Sequence, residues 1–514
     1  MSSSNDWSAG YISDIDYTYG YYTELNPLRA RLALLNRGIV PPGTAYGCEL
    51  GFGQGLSVAI HSAASPTQWY GTDFNPSQAG FAQELVEQSG SDAKLYDQAF
   101  EEFCNRPDLP DFDFIGLHGI WSWVSEENRH LIVDFIKRKL KVGGLLYISY
   151  NTLPGWAAFA PMRHLMTEHS DVLSAGGQGI LNRVDEALRF IDRLLATNPL
   201  YARANPLIGE RLKRLKEQNK HYLAHEYFNR EWHPMHFATM ADWLQGAKLN
   251  FACSAHYLDA VDNINLTKEQ QALIAEIPDV SFAETVRDFM VNQQFRRDYW
   301  IKGVRRLSRL EQSEHLSNVR VMLNVPREDA SLKASGTLGQ ADMNAQIYTP
   351  ILDYLSDHKP RSLGEIADAM AKHNINHAQI VEAALVLGGT GQLSAVQDAM
   401  VASKCKKKTD KLNRYLMRKA RTSGDIHVLA SPVTGGGFNL GRFQQLFALA
   451  YLEGHKDASD WAKFAWDILA KQGQRIVREG KALESHEENL AELNSQAATF
   501  KAKLMPVLKA LEIV

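Results

Sequence analysis

The sequence lacks the features that mark secreted and membrane proteins. Its four cysteines (Cys48, Cys104, Cys253 and Cys405) lie far apart and form no CxxC pair, which argues against a disulfide framework or a zinc site. The chain does not open with a basic segment followed by an apolar run, so a secretory signal is not expected. No stretch approaches the roughly 18 apolar residues of a membrane span. We therefore expect a cytoplasmic protein without a membrane span.

The sequence also lacks a strong charge of either sign. It has 55 basic and 59 acidic residues, which gives a net charge of −4. Such a balance provides no overall attraction to nucleic acid or to an anionic membrane. The 45% hydrophobic and 22% charged content is typical of a globular protein. A length of 514 residues predicts two to four domains.

Strand-like and helix-like segments alternate between about residues 45 and 151. The predicted strands are 46–50, 68–73, 94–100, 112–118 and 145–150, and the predicted helices between them are 56–64, 77–88 and 128–140. This alternation favours a doubly wound, Rossmann-like α/β fold with a parallel sheet covered on both faces. A charged helical insertion is expected over 160–245, then a strand at 249–257, then helices over 265–310.

The second half of the chain is predicted to be mainly helical. After a linker around 327–341, three short amphipathic helices at 347–355, 363–372 and 377–387 precede a short strand at 393–396, which suggests a winged-helix-like module. The last hundred residues read as helices, apart from a candidate hairpin at 426–440.

A glycine-rich loop follows the first predicted strand and opens a helix. It has the pattern ExGxGxG, with Glu49, Gly51, Gly53 and Gly55 at its defined positions. The dinucleotide fingerprint GxGxxG would need a third glycine where Leu56 stands, and the phosphate-binding pattern GxxxxGK[ST] is also not matched. The leading carboxylate disfavours a pyrophosphate and favours a cation. S-adenosylmethionine carries an ammonium and a sulfonium, and it therefore fits this loop better.

Further candidate ligand residues follow the next three predicted strands. The complete set predicted to bind the cofactor is Glu49, Gly51, Gly53, Gly55, Asp73, Phe74, Gln98, Ala99, Phe100, His118 and Gly119. Ligands of open α/β sheets bind at the carboxyl ends of the strands. Asp73 is expected to accept the ribose hydroxyls, and Gln98 with Phe100 to meet the edge and face of adenine. Taken singly, Glu49 also fits a solvated loop acid and Asp73 a helix N-cap, whereas His118 fits a structural histidine equally well.

Several longer segments carry a family resemblance. They are Asn26-Pro27 with 29–33, the glycine loop, 112–124, 144–156, 222–229, and 288–289 with 295–297. With these segments the chain resembles a class I methyltransferase. More narrowly, it is similar to bacterial methyltransferases with a methyltransferase regulatory region, a group that includes the rickettsial protein lysine methyltransferases. The resemblance covers about residues 15–310, and Phe52 departs from the cysteine of many members.

The resemblance implies methylation of lysine side chains in a protein substrate. The alternatives are a methyltransferase for a small molecule or saccharide, and a regulatory protein that binds S-adenosylmethionine without turnover. Methyl transfer is an in-line displacement that depends on positioning, and an aromatic channel lowers the pKa of an acceptor amine. Tyr150, Asn151 and Tyr17 are the catalytic candidates on this basis, whereas Trp121 and Trp156 are expected to pack at the domain interface.

Two further motifs could indicate a metal site or a nucleic-acid interface. His225-Glu226 would start a zinc-peptidase HExxH motif, but Asn229 stands where the second histidine is required. We therefore interpret the two residues as a structural pair and expect no metal. Residues 404–421 contain nine basic side chains, and a solvated face is favoured over nucleic-acid binding. The sequence fixes no oligomeric state and is compatible with a dimer.

These observations predict five regions. They are an N-terminal aromatic lid at 1–40, a cofactor-binding core at 41–160, a helical insertion with the last sheet strands at 161–310, the winged-helix-like module at 340–400, and a helical C-terminal region at 401–514.

Overall fold

The computed structural model describes residues 18–174 and 178–514. Its centre is a seven-stranded sheet with the order β3-β2-β1-β4-β5-β7-β6. The strands are β1 Tyr46–Leu50, β2 Gln68–Asp73, β3 Lys94–Asp97, β4 Phe112–Leu117, β5 Leu140–Asn151, β6 Leu249–Ser254 and β7 Phe295–Lys302. Strand β7 is antiparallel to both neighbours, and the first five strands pair in parallel. The predicted doubly wound α/β fold is confirmed.

Helices cover both faces of this sheet. They are α1 Pro27–Asn36, α2 Leu56–Ala64, α3 Pro76–Ser89, α4 Phe100–Cys104 and α5 Glu126–Lys139. Their ends follow from the sequence: the Asn75 side chain caps α3, and Gly90 ends it at a φ of +67°. All nine residues of α2 are buried, because the sheet lies on one side of this helix and the C-terminal region on the other.

The segment 160–245 is helical, as predicted. The helices around it are α6 Leu153–Trp156, α7 Ala160–Leu173, α8 Ile180–Ala196, α9 Leu200–Ala204, α10 Ile208–Lys216, α11 Lys220–Tyr227, α12 Phe237–Gln245, α13 Asp262–Asn265, α14 Lys268–Ala275 and α15 Val280–Met290. Helices α6 to α11 enclose a hydrophobic cluster of their own, which includes Trp156, Met166 and Ile191. The insertion is therefore a packed unit above the sheet.

The expectation of helices over 265–310 holds for α14 and α15 but is wrong over 295–302, because β7 lies there. The charged residues of this segment suggested an exposed helix in the sequence. In the structure, Arg296 and Asp298 are buried within the strand. The guanidinium of Arg296 binds Asp298 and Asp288 at 2.9 and 2.6 Å and Glu284 at 2.8 Å. This ion network compensates the charge and lets β7 lie inside the sheet.

The next region contains α16 Arg309–Ser317, β8 Arg320–Leu323, β9 Lys333–Gly336, β10 Gly339–Asp342, α17 Ala345–Tyr354, β11 Arg361–Ser362, α18 Leu363–Met370, α19 His377–Gly389 and β12 Leu393–Ala395. The linker expected at 327–341 contains most of the β9–β10 hairpin instead. The three short helices are present, and the small sheet has the antiparallel order β11-β8-β12. Its central strand precedes the first of those helices, and the winged-helix assignment stays a prediction.

The C-terminal region is mainly helical, as predicted. Its elements are α20 Ala399–Lys419, β13 Val428–Ser431, β14 Gly436–Asn439, α21 Arg442–Leu452, α22 Ala458–Lys471, β15 Val477–Arg478, β16 Lys481–Ala482, α23 His486–Thr499 and α24 Met505–Ala510. The predicted hairpin is confirmed as β13–β14. The basic run lies on α20, which packs on α2 and α3. Lys408 pairs with Asp92, just after α3, and Lys419 pairs with Glu84 within α3. Among the described residues, no helix is both long and apolar enough to cross a bilayer.

Candidate active site

A cavity of about 400 Å³ opens at the carboxyl ends of β1, β2 and β4. Ten of the eleven residues predicted to bind the cofactor line it: Glu49, Gly51, Gly53, Asp73, Phe74, Gln98, Ala99, Phe100, His118 and Gly119. The parallel strands bring these residues together, because their carboxyl ends meet at one edge of the sheet. Gly55 does not line the cavity.

The glycine loop has a backbone conformation that residues other than glycine rarely adopt. Gly51, Gly53 and Gly55 have φ values of +69°, +57° and +71°. A Cβ on Gly51 would lie 2.4 Å from the Ile120 side chain, and one on Gly55 would lie 2.2 Å from the Cβ of Ala82. Gly55 therefore serves the packing of the loop and α2 against α3, behind the cavity.

Asp73 is held by the backbone at the end of β2. Its Oδ2 accepts a hydrogen bond from the Gly53 N–H at 2.8 Å, and its Oδ1 accepts one from the Asn75 N–H at 3.0 Å. Burial raises its pKa to about 6, although both hydrogen bonds lower it. The helix-cap interpretation is wrong, because the side chain of Asn75 caps α3. Each carboxylate oxygen keeps a second lone pair for ligand hydroxyls.

Glu49 is a buried acid at the floor of the cavity. Glu49 is only 3% exposed, and its Oε2 has no hydrogen-bond partner among the described residues. Burial, together with the charge of Asp73, raises its pKa to about 8. The interpretation as a solvated loop acid is therefore wrong. A buried acceptor without a partner fits a ligand that brings a positive charge and N–H donors.

His118 follows β4 and lies beneath an aromatic ring of the N-terminal segment. Its Nδ1 lies 2.7 Å from the Tyr147 hydroxyl, and the Tyr22 ring stacks on it with 3.5 Å between centroids. Burial lowers its pKa to about 3. The side chain is therefore a neutral imidazole at neutral pH, held by structural contacts while it lines the cavity.

The helical insertion supplies a further part of the cavity wall. His225 and Glu226 at the end of α11, together with 229–231, line the cavity. Our interpretation of His225-Glu226 as a structural pair missed this position. Trp123 and Tyr22 also line it. The only sequence signal for this wall was that 222–229 belongs to the segments that carry the family resemblance.

Two catalytic candidates lie away from the cavity. Tyr150 is 1% exposed and donates a hydrogen bond to Asp298 at 2.9 Å. Asn151 is buried, and its Oδ1 accepts a hydrogen bond from the Trp156 indole at 3.2 Å. Both side chains pack inside the protein, and the structure favours structural roles for them. Tyr17 lies outside the described residues.

Trp121 and Trp156 are both fully buried and do not line the cavity. Trp121 packs in a hydrophobic cluster with residues of the sheet, and Trp156 packs in the cluster of the insertion. In the ranges 18–174 and 178–514, no three His, Cys, Asp or Glu side chains form a group that could hold a metal ion.

Comparison with known proteins agrees with this geometry. A family model described as a predicted methyltransferase regulatory domain matches residues 219–302, which contain α11 to α15, β6 and β7. Uncharacterized protein sll1526 of Synechocystis sp. is 40% identical over 99% of this chain and 99% of its own. The chain belongs to the same family as this Synechocystis protein, and it carries the predicted methyltransferase regulatory domain.

More distant relatives extend the likeness. Uncharacterized protein RP789 of Rickettsia prowazekii is 24% identical over 87% of this chain and 83% of its own. The structure of PKMT2 from Rickettsia typhi in complex with AdoHcy superimposes with a TM-score of 0.69. It is 18% identical and covers 97% of this chain and 99% of that one. The likeness to PKMT2 thus shows a shared fold along nearly the whole chain.

Proposed function

We propose that this cavity holds S-adenosylmethionine and that the protein transfers its methyl group to lysine side chains of a protein substrate. The observation that carries the proposal is Glu49, a buried carboxylate that lines the cavity beside the glycine loop and whose Oε2 has no partner in the described part of the chain. Few ligands of an α/β sheet bring a cation to this position, since dinucleotides bring a pyrophosphate.

The chain's residues divide the ligand between them. Glu49 pairs with the ammonium of the amino-acid end, and Asp73 accepts the ribose hydroxyls with its free lone pairs. Gln98 and Phe100 lie at the end of the cavity that would take the adenine, where Arg106 donates a hydrogen bond to the Gln98 side chain at 3.3 Å. The bound sulfonium supplies an activated methyl group.

The wall formed by the insertion suits an amine acceptor. It contains the acids Glu226 and Glu231, and the rings of Tyr22 and Trp123 line the same cavity. Aromatic faces and carboxylates both attract ammonium groups. The chain's part in the transfer is to exclude water and to hold the acceptor nitrogen opposite the sulfur. The family resemblance to the rickettsial enzymes supports a protein lysine rather than a small molecule.

Calorimetric titration with S-adenosylhomocysteine tests the cofactor site. Asp73→Ala is expected to weaken binding by about 100-fold, since two charge-assisted hydrogen bonds are each worth about 1.5 kcal/mol. Glu87→Gln, an exposed acid on α3, is the matched control and should bind like wild type. Wild-type affinity in Asp73→Ala would refute the placement of the ribose.

The acceptor needs a separate experiment. The protein is incubated with tritiated S-adenosylmethionine and a bacterial lysate, and the label is measured in the protein and small-molecule fractions. We expect label in protein, recovered as methyllysine after acid hydrolysis. Label confined to small molecules would support the small-molecule alternative, and binding without any transfer would support a regulatory protein without turnover.

A further inference from the structure

Glu226 has an unusual position for a carboxylate. It lies in the last turn of α11 and lines the same cavity as the glycine loop. No described residue donates a hydrogen bond to its carboxylate or forms an ion pair with it within 4 Å. An acid enclosed by protein without a partner is costly unless a ligand satisfies it.

Two arginines, the buried Arg163 and the half-buried Arg211, lie near Glu226 but are occupied by other groups. Arg163 donates to the backbone carbonyl of Asn229 at 2.6 Å and lies over the Trp232 ring. Arg211 donates to the carbonyl of Gly155 at 3.2 Å and lies over the Trp156 ring at 4.3 Å. Their charges favour the ionised form of Glu226, yet they do not cap it. The carboxylate therefore remains available to the cavity.

We propose that Glu226 is the carboxylate that binds the acceptor ammonium and removes its proton. This inference rests on the proposed function. One N–H of the lysine ammonium passes its proton to the Glu226 carboxylate, which becomes a neutral carboxyl group. The freed nitrogen lone pair then forms the new N–C bond, and the S–C bond breaks with its electron pair going to sulfur. The proton on Glu226 finally leaves to solvent.

The charged environment gives this role a pH dependence. The titratable groups facing Glu226 from the surrounding elements are Arg163, Arg211, Tyr222 and Tyr227, and those that share the cavity wall with it are Glu127, His225, Arg230 and Glu231. Burial raises the pKa of Glu226 to about 7, although Arg163 and Arg211 lower it. The ionised form that binds an ammonium is therefore lost as the pH falls below about 7.

The test measures n-butylammonium, a mimic of the lysine side chain, binding to the complex of the full chain with S-adenosylhomocysteine. NMR titration gives the Kd for wild type, Glu226→Gln and the control Glu217→Gln, an exposed acid at the end of α10. Glu226→Gln should weaken butylammonium binding by at least about tenfold, since a charge-assisted hydrogen bond is worth about 1.5–3 kcal/mol. Its affinity for S-adenosylhomocysteine should match wild type, which also shows that the variant is folded.

The pH series separates an ammonium-binding role from a purely structural one. In wild type, butylammonium affinity should rise about tenfold per unit below pH 7 and level off above it, and in Glu226→Gln this rise should disappear. Equal affinity in the two proteins, or binding by neither, would overturn the role of Glu226. Failure of wild type to bind S-adenosylhomocysteine would instead refute the proposed function.

Discussion

Binding of the cofactor should release a proton from Glu49. Without ligand its pKa is about 8, so about nine-tenths of the side chain is protonated at pH 7. The ammonium of S-adenosylhomocysteine favours the ionised carboxylate, and its arrival should expel that proton. Ionising Glu49 at pH 7 costs about 1.4 kcal/mol, which the ammonium–carboxylate contact more than offsets. Between pH 6 and 7 wild-type affinity should therefore rise by about tenfold.

Calorimetry in two buffers of different ionisation enthalpy measures the number of protons released. The ligand's own amine and Asp73 also titrate in this range, since the pKa of Asp73 is about 6. Glu49→Gln removes only the contribution of Glu49, so the difference between wild type and variant isolates it. That difference should be about 0.9 of a proton at pH 7.

A difference close to zero at pH 7, with the same pH dependence of affinity in both proteins, would refute the pairing of Glu49 with the ligand ammonium. The control Glu87→Gln changes an exposed acid on the same side of the sheet and should leave proton release as in wild type.

Three further predictions concern stability. In the ligand-free protein, the raised pKa of Glu49 means that the free energy of unfolding falls as the pH rises from about 4.5 to 8. Glu49→Gln should remove this loss. In urea unfolding, the variant should therefore be more stable than wild type by a few kcal/mol at pH 8.5 but not at pH 4.5. Gly55→Val should lower the melting temperature by several degrees, because its Cβ meets Ala82, whereas Gly80→Ala, in open space on α3, should raise it slightly. Arg296→Met should cost about 3–5 kcal/mol by urea unfolding, since three acids lose their buried partner.

The sheet and the cofactor edge could be predicted because their signals are local. Apolar runs ending in Gly or Asp mark β1, β2 and β4, and parallel strands align their carboxyl ends. Residues as distant in sequence as Glu49 and Gly119 therefore fall on one cavity. Gly55 was wrongly predicted to bind the cofactor because its spacing matches the loop. A Cβ built at this position would point at Ala82 and not into the cavity.

The remaining features depend on contacts between segments far apart in sequence. Arg296 is a buried strand residue only because Glu284, Asp288 and Asp298 surround it, and no local pattern shows that compensation. Tyr150 follows the fifth predicted strand and so looked catalytic, yet its hydroxyl belongs to the same network. The wall at Glu226 lies more than 100 residues after the strands it faces, and only the packing of the insertion brings it there.

A raised pKa alone does not separate functional acids from structural ones in this protein. Burial raises the pKa of Asp288 to about 7, as it does for Glu226, although Arg296 binds Asp288 directly. The difference lies in what surrounds each residue. Asp288 is packed within the protein, whereas Glu49 and Glu226 both line the same cavity. Two acids that are destabilised by burial and line one cavity favour the binding of two positively charged groups there. The ammonium of the methyl donor would bind at Glu49, and the ammonium of the lysine acceptor would bind at Glu226.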